Sequence, residues 1–270
     1  MTDKPERRRY QYSLRSMFVL TTLVAIACSW YAYEMNEATK RRAAIAAIIE
    51  MAGAMDVETD GLFVSYYDAG DPNTLGKPPG PFSWLRKLHG DEHLGNAVTF
   101  CLYAATITDA ELENLRVLKN LESLSISHTQ ITDAGLDNLE GLANLRELNL
   151  SLTHITDAGL VHLEGLANLR DLDISDTQIT DAGLVHLKDL TKLKRLVLNG
   201  TQCGDTGLVN LKELKRLRDL SLGYTEATDA GLVHLTGLTK LEHLNLKYTQ
   251  VTHEGVEKLQ EALPNCEIYY

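Results

Sequence analysis

The sequence is poor in aromatic residues, and its four cysteines follow no metal-binding pattern. Phe, Trp and Tyr make up 6% of the 270 residues, whereas hydrophobic residues of all kinds make up 44%. A sizeable core is therefore possible, but aliphatic side chains must fill most of it. Because no C-x-x-C spacing occurs, the cysteines do not indicate a zinc ribbon or a thioredoxin-like redox site.

The sequence also lacks an excess of basic residues. The formal net charge is −11, and residues 1–42 contain eight Lys/Arg against four Asp/Glu, which leaves −15 for residues 43–270. An acidic body of this kind repels phosphate backbones. We therefore expect no nucleic-acid partner.

Catalytic motifs are scarce as well. No nucleophile–base pair or glycine-rich phosphate loop is present, but residues 89–93 read HGDEH and match the H-x-x-E-H pattern of inverted zinc proteases. Gly90 weakens the helix that this chemistry needs, and the segment lies where the repeats described below need a cap. We expect a non-enzyme without cofactor or bound metal. A zinc-dependent hydrolase using residues 89–93 and a structural envelope protein are the alternatives.

The N-terminus predicts a membrane anchor. Residues 17–33 contain no charged side chain and follow a leader, residues 1–16, with five Lys/Arg. Seventeen residues of helix span about 25 Å, and the basic leader should keep the N-terminus in the cytoplasm. We expect a single-pass signal-anchor in the inner (cytoplasmic) membrane, with the rest of the chain periplasmic or extracellular. Cleavage after the small residues 25–27 and lipid attachment at Cys28 remain alternatives.

Residues 34–82 connect this anchor to the repeats. Residues 34–55 are rich in Ala, Glu, Lys and Arg and predict a stalk helix. Asp60-Gly61 lies between two strand-like runs and indicates a short hairpin. Residues 69–81 are rich in Pro and Gly, which is typical of a linker.

A 24-residue repeat dominates the remainder of the chain. The phrase I-T-D-A-G-L-x-x-L, or a variant of it, follows L-x-x-L-x-L-x-x-T, and successive copies begin at equal intervals: Ile107, Ile131, Ile155, Ile179, Cys203, Ala227 and Val251. A fixed period of this length predicts a solenoid. Cys203 occupies the position of a core isoleucine, so we expect a buried thiol and no disulfide.

Each copy combines two periodicities. Leu148 and Leu150 are two apart, which predicts a strand with both side chains facing inward. Leu160, Leu163 and Leu166 are three apart, which predicts one face of a short helix whose cap is Thr156 or Asp157. Stacked units form a parallel sheet, and residues 83–270 are expected to be the solenoid with its two end caps.

The pattern LxxLxLxxTxITDAGLxxL resembles leucine-rich repeat proteins over roughly residues 94–270, with Thr where Asn or Cys is usual. The resemblance implies an α/β solenoid with its sheet on the concave face and short helices on the convex face. The threonines are expected to form a hydrogen-bonded ladder along the stack. Anchor and repeats together are similar to bacterial membrane-anchored leucine-rich repeat proteins, which implies a scaffold that binds proteins or peptides and contains no catalytic residue.

The candidate binding residues occupy repeat positions at which the residue type differs from unit to unit, whereas the leucine positions are constant. Side chains between the inward leucines must face outward, and aromatic residues follow the strand in two adjacent units. We predict a site for an unknown protein or peptide ligand of basic character at these residues: Asp171, Asp173, Arg195, Asp219, His243, Tyr224, Lys247 and Tyr248. A plain solvated face is one alternative, and a cation held by Asp171, Asp173 and Asp176 is another.

Overall fold

The computed structural model describes residues 107–270 throughout, the strands Leu62–Phe63 and Val98–Leu102, and six helical residues between positions 29 and 43. The chain divides into two compact units, Met1–Ala46 and Ala47–Tyr270. None of the helices found within the described residues has the length and apolarity that a membrane span requires. The predicted anchor, residues 17–33, lies outside the described residues except for Ser29 and Tyr33.

The described part of the second unit forms a nine-stranded sheet whose strands follow chain order. β1 pairs with β2 in antiparallel fashion, and every later pair is parallel. Leu62–Phe63, predicted to belong to a hairpin, pairs with β2, and the rest of that hairpin lies outside the described residues. The strands are β1 Leu62–Phe63, β2 Val98–Leu102, β3 Leu121–Ser125, β4 Glu147–Asn149, β5 Asp171–Asp173, β6 Arg195–Val197, β7 Asp219–Ser221, β8 His243–Asn245 and β9 Glu267–Tyr269.

Short helices connect the strands, and most of their turns are 3₁₀. In a 3₁₀ helix residues i and i+3 lie directly above one another, so leucines spaced by three all reach the core. Leu160, Leu163 and Leu166 are at most 1% exposed, as predicted. The helices are α1 Asp133–Leu136, α2 Asp205–Leu208, α3 Asp229–Leu232 and α4 His253–Ala262, with 3₁₀ turns at Glu111–Val117, Asp137–Leu139, Gly159–Leu163, Gly183–Leu187 and Val209–Leu211.

The strand register predicted from the leucines is confirmed. Leu148, Leu172 and Leu196 are paired across neighbouring strands and are at most 2% exposed, and Leu150 is fully buried. The inward side chains form an aliphatic core, and every buried side-chain polar atom among the described residues has a hydrogen-bond partner. The period of two therefore determines which face of each strand is buried.

The threonines that replace the usual Asn or Cys are buried, apart from the half-buried Thr249, but their predicted ladder along the stack is wrong. Each hydroxyl donates to a carbonyl three residues earlier in its own unit, as in Thr153 Oγ1 to Leu150 O at 2.6 Å and Thr177 Oγ1 to Ile174 O at 2.7 Å. The turn after the strand brings that carbonyl closer than any group of the next unit. Each threonine therefore stabilises one turn rather than joining two units.

The aspartate of the repeated phrase joins neighbouring units instead. Asp133 accepts the backbone N–H of Thr156 at 2.7 Å through Oδ1 and the Thr156 hydroxyl at 2.7 Å through Oδ2. Asp181 binds Gly204 N–H and the Thr206 hydroxyl. The same paired contact occurs at further boundaries: Asp109–Thr132, Asp157–Thr180, Asp205–Thr228 and Asp229–Thr252. We call this contact the Asp–Thr clasp.

Of the two residues predicted as the helix cap, Thr156 and Asp157, the threonine is the cap. Thr156 Oγ1 accepts the N–H of Ala158 at 3.3 Å, and Thr228 and Thr252 accept in the same way at the starts of α3 and α4. The aspartate faces the following unit. The side-chain and backbone hydrogen bonds from Thr252 lower the pKa of Asp229, so this clasp stabilises the fold at neutral pH and weakens as pH falls through that pKa.

The glycine of the phrase leaves room for the clasp. A Cβ added at Gly183 would lie 2.4 Å from Asp157 Oδ1, and the corresponding glycines of the other units are equally close to an aspartate. No side chain fits there without moving the carboxylate. The T-D-A-G phrase therefore encodes a contact between units and not a chemical site.

We expect Leu172→Ala to lower the free energy of unfolding by about 2–5 kcal/mol, because it leaves a cavity in the aliphatic core. The control is Asp173→Asn on the outward face, which keeps the oxygen that accepts from Ser175 and should cost less than about 1 kcal/mol. Thermal and chemical unfolding of both variants measures the difference. Equal losses at both positions would contradict the register.

We expect Gly183→Ala to cost about 1–3 kcal/mol, because its Cβ collides with the Asp157 carboxylate. Gly165→Ala is the matched control, since a Cβ there meets nothing within 4 Å. A double-mutant cycle with Asp157→Ala should show coupling, because removing the carboxylate also removes the collision. Additive losses in unfolding experiments would show that the two residues act independently.

Candidate functional site

One residue in each of six consecutive units has a left-handed backbone. These residues directly precede the buried threonines, lie beyond the strand ends and have φ between 53° and 66°: His128, Leu152, Asp176, Gly200, Tyr224 and Tyr248. We call them the ridge. Five of the six are not glycine, and this conformation costs an L-residue roughly 1–2 kcal/mol.

Backbone hydrogen bonds to the next unit hold the ridge in place. Leu152 N–H donates to Ser175 O at 3.0 Å, and Tyr224 N–H donates to Lys247 O at 2.9 Å. The side chains then point into solvent, with Leu152 50% exposed, Tyr224 64% and Tyr248 71%. Large apolar side chains gain no burial at such positions. Their display in a strained conformation is a feature expected of a functional surface.

Tyr224 and Tyr248 form a stacked pair at the C-terminal end of the ridge. Their ring centroids are 4.4 Å apart, and the rings are inclined by 20°. Reduced solvation and the neighbouring Tyr248 raise the pKa of Tyr224, so its hydroxyl remains protonated at neutral pH. Lys247 Nζ lies 5.9 Å from the ring centroid of Tyr269. The two predicted aromatic residues therefore meet, whereas the predicted lysine lies over a third tyrosine, Tyr269.

The predicted charged residues form consecutive rungs on the exposed sheet face. Asp171 pairs with Arg195, Arg195 with Asp219, and Asp219 with His243. His243 Nδ1 is 2.8 Å from Asp219 Oδ1, whereas Arg195 forms no ion pair with any residue that the structure describes. Burial and the nearby Glu147 carboxylate raise the pKa of Asp171, and Arg195 opposes them. The face is acidic, with an exposed guanidinium at its centre.

Asp173 and Val197 both face outward from the sheet, but neither side chain is simply exposed to solvent. Asp173 Oδ1 accepts the N–H of Ser175 at 3.0 Å and its hydroxyl at 2.5 Å, so this carboxylate stabilises the turn that follows β5. Val197 lies between the two inward leucines of its unit but is only 7% exposed. Its apolar side chain is covered on a face that is otherwise polar. Arg195 and His243 are exposed, whereas Asp171, Asp173 and Asp219 are half-buried.

Other sequence features have structural explanations. His162 and His186 each contact a glutamate of the preceding unit at 2.7 Å. Among the described residues, the one group with a spacing suited to a metal ion is Asp137, Glu140 and His162, and Arg116 already pairs with Asp137. Asp171, Asp173 and Asp176 do not form such a group. Residues 89–93 lie outside the described residues.

Among the cysteines, the structure describes the side chains of Cys203 and Cys266. Cys203 and Cys266 are buried free thiols. Burial raises the pKa of Cys203 to about 12 and that of Cys266 to about 11, so both stay protonated. Cys203 is 1% exposed and packs in place of an isoleucine, as predicted.

Residues 119–179 match a family model described as leucine rich repeat, and residues 237–259 match a second such model. No curated protein matches. A solved internalin (inlF) of Listeria monocytogenes str. 4b F2365 is 26% identical with a TM-score of 0.48 and covers 58% of this chain. Internalin C2 of the same strain is 24% identical with a TM-score of 0.46, and the match covers 64% of this chain and 80% of internalin C2.

This chain spans 49% of the inlF chain, about half its length. The chain therefore contains leucine-rich repeats, which the two models match at residues 119–179 and 237–259, and each unit described above has an inward leucine strand, a turn and a short helix.

Proposed function

We propose that this protein is a membrane-anchored scaffold that binds a protein or peptide outside the cytoplasm. Leucine-rich repeat proteins generally act as scaffolds for protein–protein interaction and are typically non-catalytic. The observation that carries the proposal for this chain is the stacked pair Tyr224–Tyr248, held exposed on a strained backbone. Stacked aromatic rings bury a large area on binding and lose little conformational entropy.

The ligand is a segment with an apolar group for the tyrosine pair and a basic residue for the adjoining sheet face. Asp171 and Asp219 attract the basic residue of the ligand. Arg195 lies between them and repels ligands that carry several positive charges in a row. Binding at this site should weaken as salt is added, because Arg195 is exposed and the two aspartates are only half-buried.

Anchoring is proposed from residues 17–33 and the basic leader that precedes them. The uncharged run is long enough to span most of a bilayer core, and the positive charge lies on one side of it. The repeats would then lie in the periplasm or at the cell surface, where they can meet secreted or envelope proteins.

The topology predicts that protease added to cells with a permeabilised outer barrier digests the repeats. A cytoplasmic marker protein in the same cells should remain intact. The measurement is an immunoblot with an antibody against residues 107–270. Repeats that survive until the inner membrane is lysed would place them in the cytoplasm and contradict the proposal.

The binding site predicts that Tyr224→Ala/Tyr248→Ala weakens partner binding by about 2 kcal/mol, or roughly thirtyfold. The partner is first identified by photo-crosslinking from position 224 of the full chain. Its affinity for the parent and the variant is then measured by calorimetry. His128→Ala/Leu152→Ala is the matched control, since it removes two other ridge side chains. A Tyr variant that remains folded and binds as tightly as the parent would place the ligand elsewhere.

A further inference from the structure

Positive charge is concentrated in two adjacent units of this acidic protein. Residues 188–218 contain eight of the 26 Lys/Arg in the chain but only three of the 37 Asp/Glu. Most of these cations lie in the two turns that lead from a helix into β6 and β7, at positions 188–195 and 212–218. The corresponding turns before β4 and β5 carry Glu140 and Glu164 where these turns carry Lys188 and Lys212.

Backbone pairing stacks part of this charge on neighbouring rungs. Lys194 N–H donates to Arg170 O at 2.7 Å, and Arg218 N–H donates to Lys194 O at 2.7 Å. Arg218 is paired with Glu242 at 2.8 Å, whereas Arg170 and Lys194 form no ion pair among the residues that the structure describes. Both are exposed at the edge where the strands begin.

A second row of cations replaces a structural asparagine. Asn144 Nδ2 donates to Lys119 O at 2.8 Å and Asn168 Nδ2 donates to Ala143 O at 2.7 Å, so this position normally joins two units. The next three units carry Lys192, Arg216 and Lys240 there, all exposed. Lys192 Nζ still joins two units by donating to Asn168 Oδ1 at 2.6 Å, whereas Arg216 and Lys240 form no ion pair among the described residues and add positive charge to the surface.

A cleft lies between the two basic turns. It has a volume of about 470 Å³, and Lys188 and Lys212 line it together with Asp189, Val209 and Glu213. This volume lies within the range of roughly 300–1,000 Å³ that is typical of ligand pockets. Lys188 and Lys212 are exposed and form no ion pair within the described part of the chain.

We infer that these turns form a second binding surface, the basic edge, which takes an acidic peptide segment of a partner protein. We define it by Lys188, Lys192, Lys194, Lys212 and Arg216. Carboxylates of the segment would enter the cleft and contact Lys188 and Lys212. Asp189 and Glu213 interrupt the positive field, which favours a discrete segment over a uniformly anionic membrane.

The basic edge lies where the strands begin, whereas the tyrosine pair follows the ends of β7 and β8. The two surfaces are therefore separated by the length of a strand and have opposite charge preferences. This inference does not depend on the proposed function. A partner at the tyrosine pair and a partner at the basic edge could be bound together.

The test measures binding of a fluorescein-labelled hexaglutamate peptide to the full chain in mild detergent by fluorescence anisotropy. The parent should bind at low salt and release the peptide at high salt. Lys188→Gln/Lys212→Gln should weaken binding by about tenfold, because both charges line the cleft. Lys119→Gln/Lys240→Gln is the matched control, since it removes two exposed lysines that lie outside the cleft and form no ion pair among the described residues, and it should retain most of the affinity.

Each remaining outcome decides the inference. Retained binding in Tyr224→Ala/Tyr248→Ala would support a separate surface, even if the proposed tyrosine site fails its own test. Equal losses in the two lysine variants would show only an effect of net charge and overturn it. The inference would also be overturned if the peptide did not bind at low salt. Vesicles containing phosphatidylglycerol that bound with the same variant dependence, while the peptide did not bind, would likewise overturn it.

Discussion

The aspartate that accepts two hydrogen bonds from the next unit is the contact on which the repeat geometry depends. It satisfies a backbone N–H and a threonine hydroxyl across each boundary, and the glycine of the next unit's phrase leaves room for the carboxylate, as Gly159 does for Asp133. An inserted residue would move one partner out of hydrogen-bond range. The constant 24-residue period and the recurrence of T-D-A-G are consequences of this one requirement, together with the parallel backbone pairing of the strands.

A rigid stack of this kind determines where variable side chains appear. Residues of successive units at one repeat position form a row about 4.8 Å apart, so neighbouring units act together on a ligand. Tyr224 and Tyr248 stack because they occupy one row in adjacent units, and Lys194 and Arg218 are neighbours for the same reason. The ridge and the basic edge lie at opposite ends of the same short strands. The protein can therefore present an aromatic surface and a cationic surface without any change in its core.

The ridge side chains proposed to bind a ligand are distinct from the side chains that stabilise the fold. Its non-glycine residues adopt a conformation that costs each of them roughly 1–2 kcal/mol, yet they bury little. The aliphatic core and the clasps offset that cost, since neither depends on which residue stands on the ridge. Gly200 fits the conformation without strain, whereas the exposed leucine and tyrosines do not. The presence of these side chains on the surface is easier to explain by binding to a partner than by a contribution to folding.

The sequence by itself determined the solenoid, the inward leucines, the helix positions and the buried Cys203, because periods of two, three and 24 dictate which side chains face the core. It also located the tyrosines. Only the tertiary structure decided that Asp133 reaches Thr156 of the next unit, that the threonine hydroxyls bond within their own turns, that Val197 is covered and that the ridge is left-handed. Net charge predicted an acidic body, and stacking gathered Lys188, Lys194 and Lys212 at one edge of it. These features depend on groups about 24 residues apart, and no local pattern records which of them become neighbours until the units are stacked.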